Sequence, residues 1–386
     1  MEKTEQSSRK RLKKVLDGNQ IMPSSIDRLS GLPDAILIHI LSFLPTKLSV
    51  ATSILARRWR ILWAHVPNLD FDSQTHSTDN MEISFGDIIN RVIMLRKFPR
   101  CIFTCKTLVD LRLRGYLGYM NSGEIISLPN LKKLHLSLVL YGYCDQNLPH
   151  FLSGCPVLEE LIIDGILDQH KNSYIISSPS IKRLMLNFLF NACDSHSQVV
   201  INAPSLRYFK LNDCFNKNIL AHTRTLNSLI EADISLNNSK VVGEDYSYTL
   251  SFNFIAFGDQ PSRSFDNLTK LELDADCLFL KKFLESAENL QVLILREVHV
   301  HLKHWMEPNQ VPKCLLSHLT TIRIDGMRST QQEFDMVRYL LKNAQVLKRM
   351  EIYSRPDGID FEAKFNALQR ISLFHRGSVA CELAFF

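Results

Sequence analysis

The chain has 386 residues, of which 45% are hydrophobic and 22% are charged, and its formal net charge is +5. These values are ordinary for a soluble globular protein of about two or three domains. No apolar run reaches the roughly 18 residues of a membrane span, and the first 28 residues hold seven basic against four acidic side chains. Because the rest of the chain is nearly neutral, we expect neither a membrane nor a nucleic-acid partner.

The N-terminal residues 1–24 form a basic tail that contains "RKRLKK" at 9–14. Such a run is read as a nuclear-import signal, as a nucleic-acid arm or as a solvated tail. No apolar core follows it, so it is not a secretory signal, and we expect the protein in the nucleus, the cytoplasm or both. The nine cysteines are scattered singly, which predicts reduced thiols, no metal and no cofactor.

The segment "LPDAILIHILSFLP" predicts a helix between two prolines. Pro33 suits the first helical turn, Asp34 favours the positive end of the helix dipole, and Pro45 stops the helix. One broad apolar stripe runs along it, and Ile38 and Phe43 lie outside that stripe. A helix that is apolar on more than one side is normally buried on more than one side. The stripe consists of Ile36, Leu37, Ile40, Leu41 and Leu44.

The next segment, "TKLSVATSILARRWRILW", predicts a second amphipathic stretch of helix, and loop chemistry follows in "AHVPNLDFDSQTHSTDN". Arg57, Arg58 and Arg60 flank Trp59, a pattern compatible with nucleic-acid contact but more typical of arginines around a buried tryptophan. The helical unit holds only about 40–45 residues, too few to bury much of its own surface. It therefore packs on the rest of the chain or on a partner.

These residues resemble the F-box in its plant form, with Leu-Pro at the opening, Leu-Pro after the helix, and Arg-Trp-Arg followed by Leu-Trp. F-boxes are three-helix modules that dock on the Skp-type adaptor of cullin-based SCF ubiquitin ligases. One departure is Ala56, where the family usually has a serine that would cap the third helix. The resemblance assigns adaptor binding to Leu32, Pro33, Ile36, Leu37, Ile40, Leu41, Leu44, Pro45, Val50, Leu55, Trp59 and Trp63.

From Leu108 onward the template L-x-x-L-x-L recurs eleven times, at steps of 21 to 29 residues with one step of 39. This spacing is typical of leucine-rich repeats. The 39-residue step contains "YSYTLSFNFIAF", which is compatible with a further degenerate repeat. The hexamers begin at Leu108, Leu131, Leu158, Ile181, Leu206, Leu229, Leu268, Leu290, Leu319, Leu347 and Leu368.

In this template the apolar positions point into the core, so the residues between them point outward along a strand face. Concave faces of repeat proteins are extended binding surfaces, and we predict target binding there. Lys270, Arg296, Arg323 and Arg349 share this outward placement. The predicted target-binding residues are Arg112, Arg114, Lys133, His135, Arg183, Lys210, Glu231, Asp233, Glu272 and Asp274.

From His304 the chain resembles the FBD region that follows the repeats in a plant F-box family. "EFDMVRYLLKNA" predicts an amphipathic helix whose apolar positions are Phe334, Val337, Tyr339, Leu340 and Leu341. The matching positions are Trp305, Pro308, Val311, Pro312, Cys314, Leu315, Glu333, Leu340, Leu341, Leu347 and Met350. The family usually carries a further strand–helix stretch before "IFTCKTLV", which suggests a deletion near Arg96–Pro99.

The predicted fold is α/β: a small three-helix F-box (25–71), then an irregular leucine-rich-repeat solenoid (105–300) completed by the FBD region (304–386). The predicted function is the substrate-recognition subunit of an SCF-type ubiquitin ligase, whose partners are a Skp-type adaptor, through it a cullin, and an unknown protein substrate. The alternative is a leucine-rich-repeat binding scaffold that does not engage the ligase.

We predict that the protein is not an enzyme, since the common nucleophile, zinc and phosphate-loop motifs are absent from the sequence. His299 and His301 would share a strand face, without a carboxylate or thiol at matching spacing. Asp274 and Asp276 would serve acid–base chemistry only in a buried cleft.

Overall fold

The computed structural model describes a helical N-terminal unit and a long strand-rich unit, which divide at Val66 and Pro67. The predicted basic tail, the Arg96–Pro99 junction, "YSYTLSFNFIAF", Asp276 and the His299–His301 pair lie outside the described residues. The described residues are 29, 31–71, 100–114, 125–139, 147–166, 173–188, 198–213, 218–221, 223–236, 265–274, 277–296, 305–355 and 361–386.

The N-terminal unit contains two α-helices, Asp34–Ser42 and Thr46–Ala51, followed by short 3₁₀ turns. The prediction of one long second helix is therefore wrong. The Thr52 and Ser53 hydroxyls donate to the carbonyls of Ser49 and Val50, each over 2.6 Å, and such local bonds favour turns over helix continuation. The turns are Thr52–Ile54, Arg57–Arg60 and Leu62–His65.

The core of this unit is built from one side of the first helix and from the two tryptophan turns. Leu37 and Leu41 are fully buried, and Trp59 is 2% exposed. Leu62 and Trp63 are buried as well, and the Trp63 indole N–H donates to the Arg60 carbonyl over 3.0 Å. The first helix therefore has one apolar side inside the unit, while its other apolar side is exposed.

The second unit alternates strands with short helices along the described chain. Its strands are β1 Asn68–Phe71, β2 Asp110–Arg114, β3 Lys133–Val139, β4 Glu160–Ile166, β5 Ser173–Ser177, β6 Arg183–Phe188, β7 Gln198–Asn202, β8 Tyr208–Asp213, β9 Asn218–Ala221, β10 Glu231–Leu236, β11 Lys270–Asp274, β12 Val292–Leu295, β13 Thr321–Met327, β14 Arg349–Ser354 and β15 Glu382–Phe385. Its helices are Arg100–Phe103, Asn147–Ser153, Thr223–Ser228, Cys277–Ser286, Lys313–Ser317, Gln331–Asn343 and Phe361–Ser372.

Twelve strands form one open sheet, in the order β1-β2-β3-β4-β6-β8-β10-β11-β12-β13-β14-β15, and every neighbouring pair is parallel. Ten of the eleven predicted hexamers supply ten successive strands of this sheet, and all of their apolar template positions are buried. At each step two consecutive amides donate to one carbonyl of the preceding repeat. The Lys132 and Lys133 N–H groups, for example, both bond the Val109 carbonyl.

The eleventh predicted hexamer, which begins at Leu368, is wrong. It lies in the helix Phe361–Ser372, where Ala367 and Ile371 are buried while Phe365 and Leu368 are exposed. The burial follows a spacing of four residues, as in a helix, and not the alternation of a strand. The closing strand of the sheet is instead β15, which pairs with β14.

Two further features of the sheets were not predicted. The segment read as loop after His65 contains β1, whose Leu69 and Phe71 are buried and which pairs with β2. This strand covers the edge that the first hexamer would otherwise expose. In addition, β5, β7 and β9 form a separate three-stranded parallel sheet.

Side chains immediately before the first apolar position connect successive repeats. Asn130 Nδ2 donates to the Lys106 carbonyl over 2.6 Å, and Asn289 does the same to the Asp266 carbonyl over 2.7 Å. Ser180 Oγ takes this place at the following hexamer, bonding the Leu158 carbonyl over 2.8 Å. These bonds satisfy backbone groups that the strand ladder leaves unpaired.

The amphipathic helix predicted in the FBD region is confirmed as Gln331–Asn343, and its five predicted apolar residues are buried. Its N-terminus has a capping box, in which the Thr330 hydroxyl accepts from the Glu333 amide and the Glu333 carboxylate accepts from the Thr330 amide. Glu333 is 1% exposed and also accepts from the Arg328 amide. These two amides flank Ser329, whose φ of 64° is left-handed, so the carboxylate stabilises an unfavourable turn.

Replacing Glu333 by alanine is expected to lower the free energy of unfolding by about 3 kcal/mol, because it leaves buried amides without acceptors and removes a cap. Urea denaturation of the full chain measures this loss. Glu362→Ala, an exposed carboxylate in the first turn of the helix Phe361–Ser372, is the control and should cost no more than about 1 kcal/mol. Equal effects of the two substitutions would contradict this role of Glu333.

Candidate functional site

The N-terminal unit leaves many large apolar side chains in contact with water. Phe43 is 74% exposed, Ile54 is 86% exposed and Leu55 is 63% exposed. Single exposed apolar residues are normal, but a contiguous set marks an interaction surface. The exposed apolar set is Leu29, Ile36, Ile40, Phe43, Leu44, Leu48, Ile54, Leu55 and Ile61.

The structure divides the twelve residues assigned to adaptor binding. Leu37, Leu41, Trp59 and Trp63 form the core of the unit, so these side chains shape the surface rather than present it. Leu32 and Val50 are half-buried. The remaining six are exposed: Pro33, Ile36, Ile40, Leu44, Pro45 and Leu55.

Sequence reasoning left Leu29, Phe43, Leu48, Ile54 and Ile61 out of the predicted adaptor-binding set. The sequence signal for them was their apolar character on short helices and turns that cannot bury every side. The arginines around Trp59 are exposed, and Arg58 forms an ion pair with Asp34 over 2.5 Å. This pair joins the start of the first helix to the Arg57–Arg60 turn.

On the sheet, the residue between the second and third apolar positions of each hexamer forms one row across neighbouring strands. The strand register aligns Arg112 with His135, and Lys210 with Asp233. All ten residues predicted for target binding lie on strands of this sheet, although the side chain of Arg114 is outside the described part. The row runs through Arg112, His135, Ile162, Met185, Lys210, Asp233, Glu272, Ile294, Arg323 and Glu351.

A polar network occupies the face at β3, β4 and β6. His135 Nε2 lies 2.5 Å from Asp164 Oδ2, and Asn187 Nδ2 donates to Asp164 Oδ1. Burial acts to raise the pKa of Asp164, but hydrogen bonds from His135, Asn187 and Ser137 and the charge of His135 outweigh it, so the pKa lies below its usual value. Asp164 is therefore held as a carboxylate.

A second network lies at β8, β10, β11 and the residue after β12. Lys210 Nζ is 2.8 Å from Asp233 Oδ2, and Arg296 contacts both Asp233 and Glu272. Burial acts to lower the pKa of Arg296, and the hydrogen bond from Glu272 with the two acidic charges raises it above its ordinary value. Two cations and two carboxylates neutralise one another, and this part of the face carries no net charge.

Most other predicted target-binding residues are also paired along the face. Lys133 lies 3.9 Å from Glu160, and Lys270 lies 3.6 Å from Glu231. Half-exposed pairs of this kind contribute little to stability, about 0–1 kcal/mol each. Arg112 lies 3.9 Å from Asp70 and 3.8 Å from Asp110, and Asp274 accepts from Ser235.

Sequence reasoning considered only charged outward residues and missed the apolar and aromatic ones. Ile162, Met185 and Ile294 occupy the middle row, and their signal was an apolar residue at the outward template position, as in "LEELII", "IKRLML" and "LQVLIL". At the C-terminal end Tyr353 stacks on Phe386 at 4.5 Å. These are residue types that favour protein interfaces.

The described geometry gives no support to catalysis on this face. His135 meets both Asp164 and Ser137 through the same ring nitrogen, Nε2, whereas a catalytic relay uses the two ring nitrogens separately. Burial raises the pKa of the Cys155 thiol to about 12 and that of Cys314 to about 11, so both stay protonated. Within the described ranges, no three His, Cys, Asp or Glu side chains are grouped to hold a metal ion.

Long apolar helices were also sought. Across the residues for which the structure gives a placement, no helix has the length and apolar character needed to cross a membrane.

Introducing a serine at Ala56 should stabilise the N-terminal unit. Ala56 has the extended backbone of an N-cap, without a side-chain cap bond, before the turn Arg57–Arg60. Ala56→Ser is expected to add about 1 kcal/mol, read as a higher melting temperature. Ala51→Ser, an exposed position at the end of the second helix, is the matched control, and an equal gain there would contradict the cap explanation.

The lowered pKa of Asp164 predicts a pH dependence of stability. A carboxyl group with a depressed pKa stabilises the fold above its ordinary pKa of 3.8, and this contribution disappears as the pH falls through the lowered value. Asp164→Asn should therefore destabilise the protein near neutral pH, and the difference from wild type should shrink in acid.

Urea denaturation across the acidic range measures that difference. Glu362→Gln, which changes an exposed carboxylate outside the face, should keep the wild-type profile. A difference between Asp164→Asn and wild type that stays constant down to the most acidic pH would contradict the prediction.

Three family models match the chain in the order expected from its motifs. A model of the F-box domain matches residues 29–71. A model described as "FBD-associated F-box protein At5g56370, LRR repeats" matches residues 80–230, and a model described as FBD matches residues 307–352. These matches bear out the F-box, the leucine-rich repeats and the FBD region.

Similar proteins from Arabidopsis thaliana carry the same three elements in their names. "F-box/FBD/LRR-repeat protein At4g00160" is 31% identical, over 86% of this chain and 87% of that protein. "Putative FBD-associated F-box protein At5g53635" is 30% identical, over 84% of this chain and 94% of that protein. "F-box/FBD/LRR-repeat protein At5g56420" is 28% identical, over 94% of this chain and the whole of that protein. The chain therefore belongs to the plant F-box/FBD/LRR-repeat protein family.

Proposed function

We propose that this protein is the substrate-recognition subunit of an SCF-type ubiquitin ligase, acting in the nucleus, the cytoplasm or both. The observation that carries the proposal is the exposed apolar surface of the F-box unit, which includes Phe43, Leu48 and Ile54. An F-box implies a Skp-type adaptor as partner, and the adaptor in turn binds a cullin. Each Leu, Ile or Phe that becomes fully buried contributes about 1.5–3 kcal/mol, so a few of these residues suffice for a stable complex.

The role of the chain in such a complex is proximity and not catalysis. The F-box unit binds the adaptor while the repeats bind the target, which brings the target to the ubiquitin-charged enzyme. Holding two reactants together converts an intermolecular transfer into an effectively intramolecular one. This role needs no catalytic residue in the chain, and it fits a face whose charged groups are mostly paired with one another.

The repeats are proposed to form an irregular solenoid whose strand face binds the target. The support is the uninterrupted parallel order of the strands, with one outward row crossing them. Target binding by the ten predicted residues stays a proposal, and so does adaptor binding by the twelve predicted F-box residues.

A leucine-rich-repeat scaffold without ligase engagement is the second candidate. The alignment with "F-box/FBD/LRR-repeat protein At5g56420" spans 430 positions, more than the 386 residues of this chain, so that relative carries residues that this chain lacks. The uncapped Ala56 turn also favours a weaker F-box. A scaffold of this kind would bind targets but no adaptor.

Substituting two exposed residues of the F-box surface tests the first candidate. Phe43 is 74% exposed and Leu48 is 52% exposed, so Phe43→Asp with Leu48→Asp should leave the fold intact. We expect adaptor affinity to fall by about 100-fold or more, because two apolar contacts are lost. Leu37 is unsuitable for this test because it is fully buried, and its substitution would unfold the unit.

Adaptor binding is measured by co-purification and by surface plasmon resonance, with the melting temperature as the test of folding. Leu373→Asp is the matched control, since Leu373 is 81% exposed but lies outside the F-box unit. Adaptor capture by wild type that the double substitution leaves unchanged would show that this surface is not the binding site. The absence of adaptor capture by wild type would favour the scaffold.

A further inference from the structure

Three strands near the middle of the sheet present an apolar floor on the outward face. Ile162 of β4 is in register with Met185 of β6, and Met185 is in register with Lys210 of β8. Both apolar side chains are half-buried. Paired strands lie about 4.8 Å apart, so Ile162 and Met185 form one continuous apolar area.

Arg183 and Tyr208 border this floor on one side. They are register partners, and the Arg183 guanidinium lies 4.2 Å from the centre of the Tyr208 ring. Arg183 is exposed, and among the described residues no carboxylate lies within ion-pairing distance of it. Ile162, Met185, Arg183 and Tyr208 together are named the central patch.

The other neighbours of the central patch are polar groups that already have partners. Asp164 is bonded by His135 and Asn187, Lys210 is paired with Asp233, and Glu160 lies near Lys133. A ring of satisfied polar groups around an apolar centre is the arrangement found at energetic hot spots of interfaces. Arginine, tyrosine and methionine are also the residue types concentrated there.

We propose that the central patch is the specificity site for the target, and that it recognises a segment with an apolar side chain close to a carboxylate. The apolar side chain would rest on Ile162 and Met185, and the carboxylate would pair with Arg183. This inference rests on the proposed function, in which the strand face binds a target protein.

The chemistry of the patch favours an acidic segment over a basic one. Arg183 is the cation without a carboxylate partner, while a basic segment would meet Arg183 as a like charge. The spacing also fits, because Arg183 and Met185 stand two residues apart on one strand, about 6.6 Å, and an extended peptide repeats that distance between its residues i and i+2. Arginine binds a carboxylate through two parallel N–H groups, which adds geometric selectivity.

A phage-displayed library of random peptides selected on the full-length chain tests this inference. The expected result is enrichment of peptides that carry an aliphatic or aromatic residue two positions from Asp or Glu. A synthetic copy of one selected peptide is then titrated by fluorescence polarisation against wild type and variants. Arg183→Glu should weaken its binding about tenfold or more, as expected for the loss of a charge-assisted contact.

Charge exchange is the sharpest measurement of this contact. Replacing the acidic residue of the peptide by lysine should abolish binding to wild type and restore binding to Arg183→Glu. Arg207→Glu is the matched control, because Arg207 is an exposed arginine just before β8 and outside the outward row. Its affinity for the original peptide should equal that of wild type.

Selection of peptides without an acidic residue, or equal binding by Arg183→Glu and wild type, would overturn the inference. Adaptor capture, measured on the same preparations, separates this result from the proposed function. Arg183→Glu should capture the adaptor as wild type does, and the Phe43→Asp, Leu48→Asp double variant should bind the peptide as wild type does. A loss of adaptor capture alone would count against the proposed ligase role and not against the patch.

Discussion

The parallel pairing of successive hexamer strands is the constraint on which the strand-rich unit depends. Two amides of each repeat donate to one carbonyl of the preceding repeat, as Lys132 and Lys133 do to Val109. That bond pattern sets the register, and the register places every apolar template position on the buried side. A slip of one residue would turn all of them outward. The repeated leucines and the backbone ladder therefore enforce the same alignment.

The same register decides the chemistry of the outward face. Residues from neighbouring repeats meet at the spacing of paired strands, so opposite charges that are distant in sequence form pairs, as Lys210 does with Asp233 and Glu272 with Arg296. Such pairing makes most of the face electrically neutral. What remains for recognition is the residue without a charged partner, Arg183, beside the apolar Ile162 and Met185. Specificity on this face then comes from position and not from net charge.

The F-box unit solves a different physical problem. Its described part has few residues, and the side chains that fill its core are those of Leu37, Leu41, Trp59 and their neighbours. A unit of this size cannot cover all of its apolar residues, and those left outside make a surface suited to a protein partner. Adaptor binding would thus complete the burial that the short helices leave unfinished, whereas target binding would draw on the particular polar and apolar pattern of the sheet.

The sequence by itself determined the modules, their order, the helix Gln331–Asn343 and ten of the sheet strands, because each is encoded by a local apolar period. It also identified the charged residues of the outward face. Only the tertiary structure decided that the Leu368 hexamer is helical, that β1 covers the first repeat and that β5, β7 and β9 form a second sheet. Partners such as His135 with Asp164, or Arg296 with Asp233, are separated by one to three repeats, and their meeting depends on register. The division of the F-box apolar residues into core and surface likewise follows from packing, which no local pattern specifies.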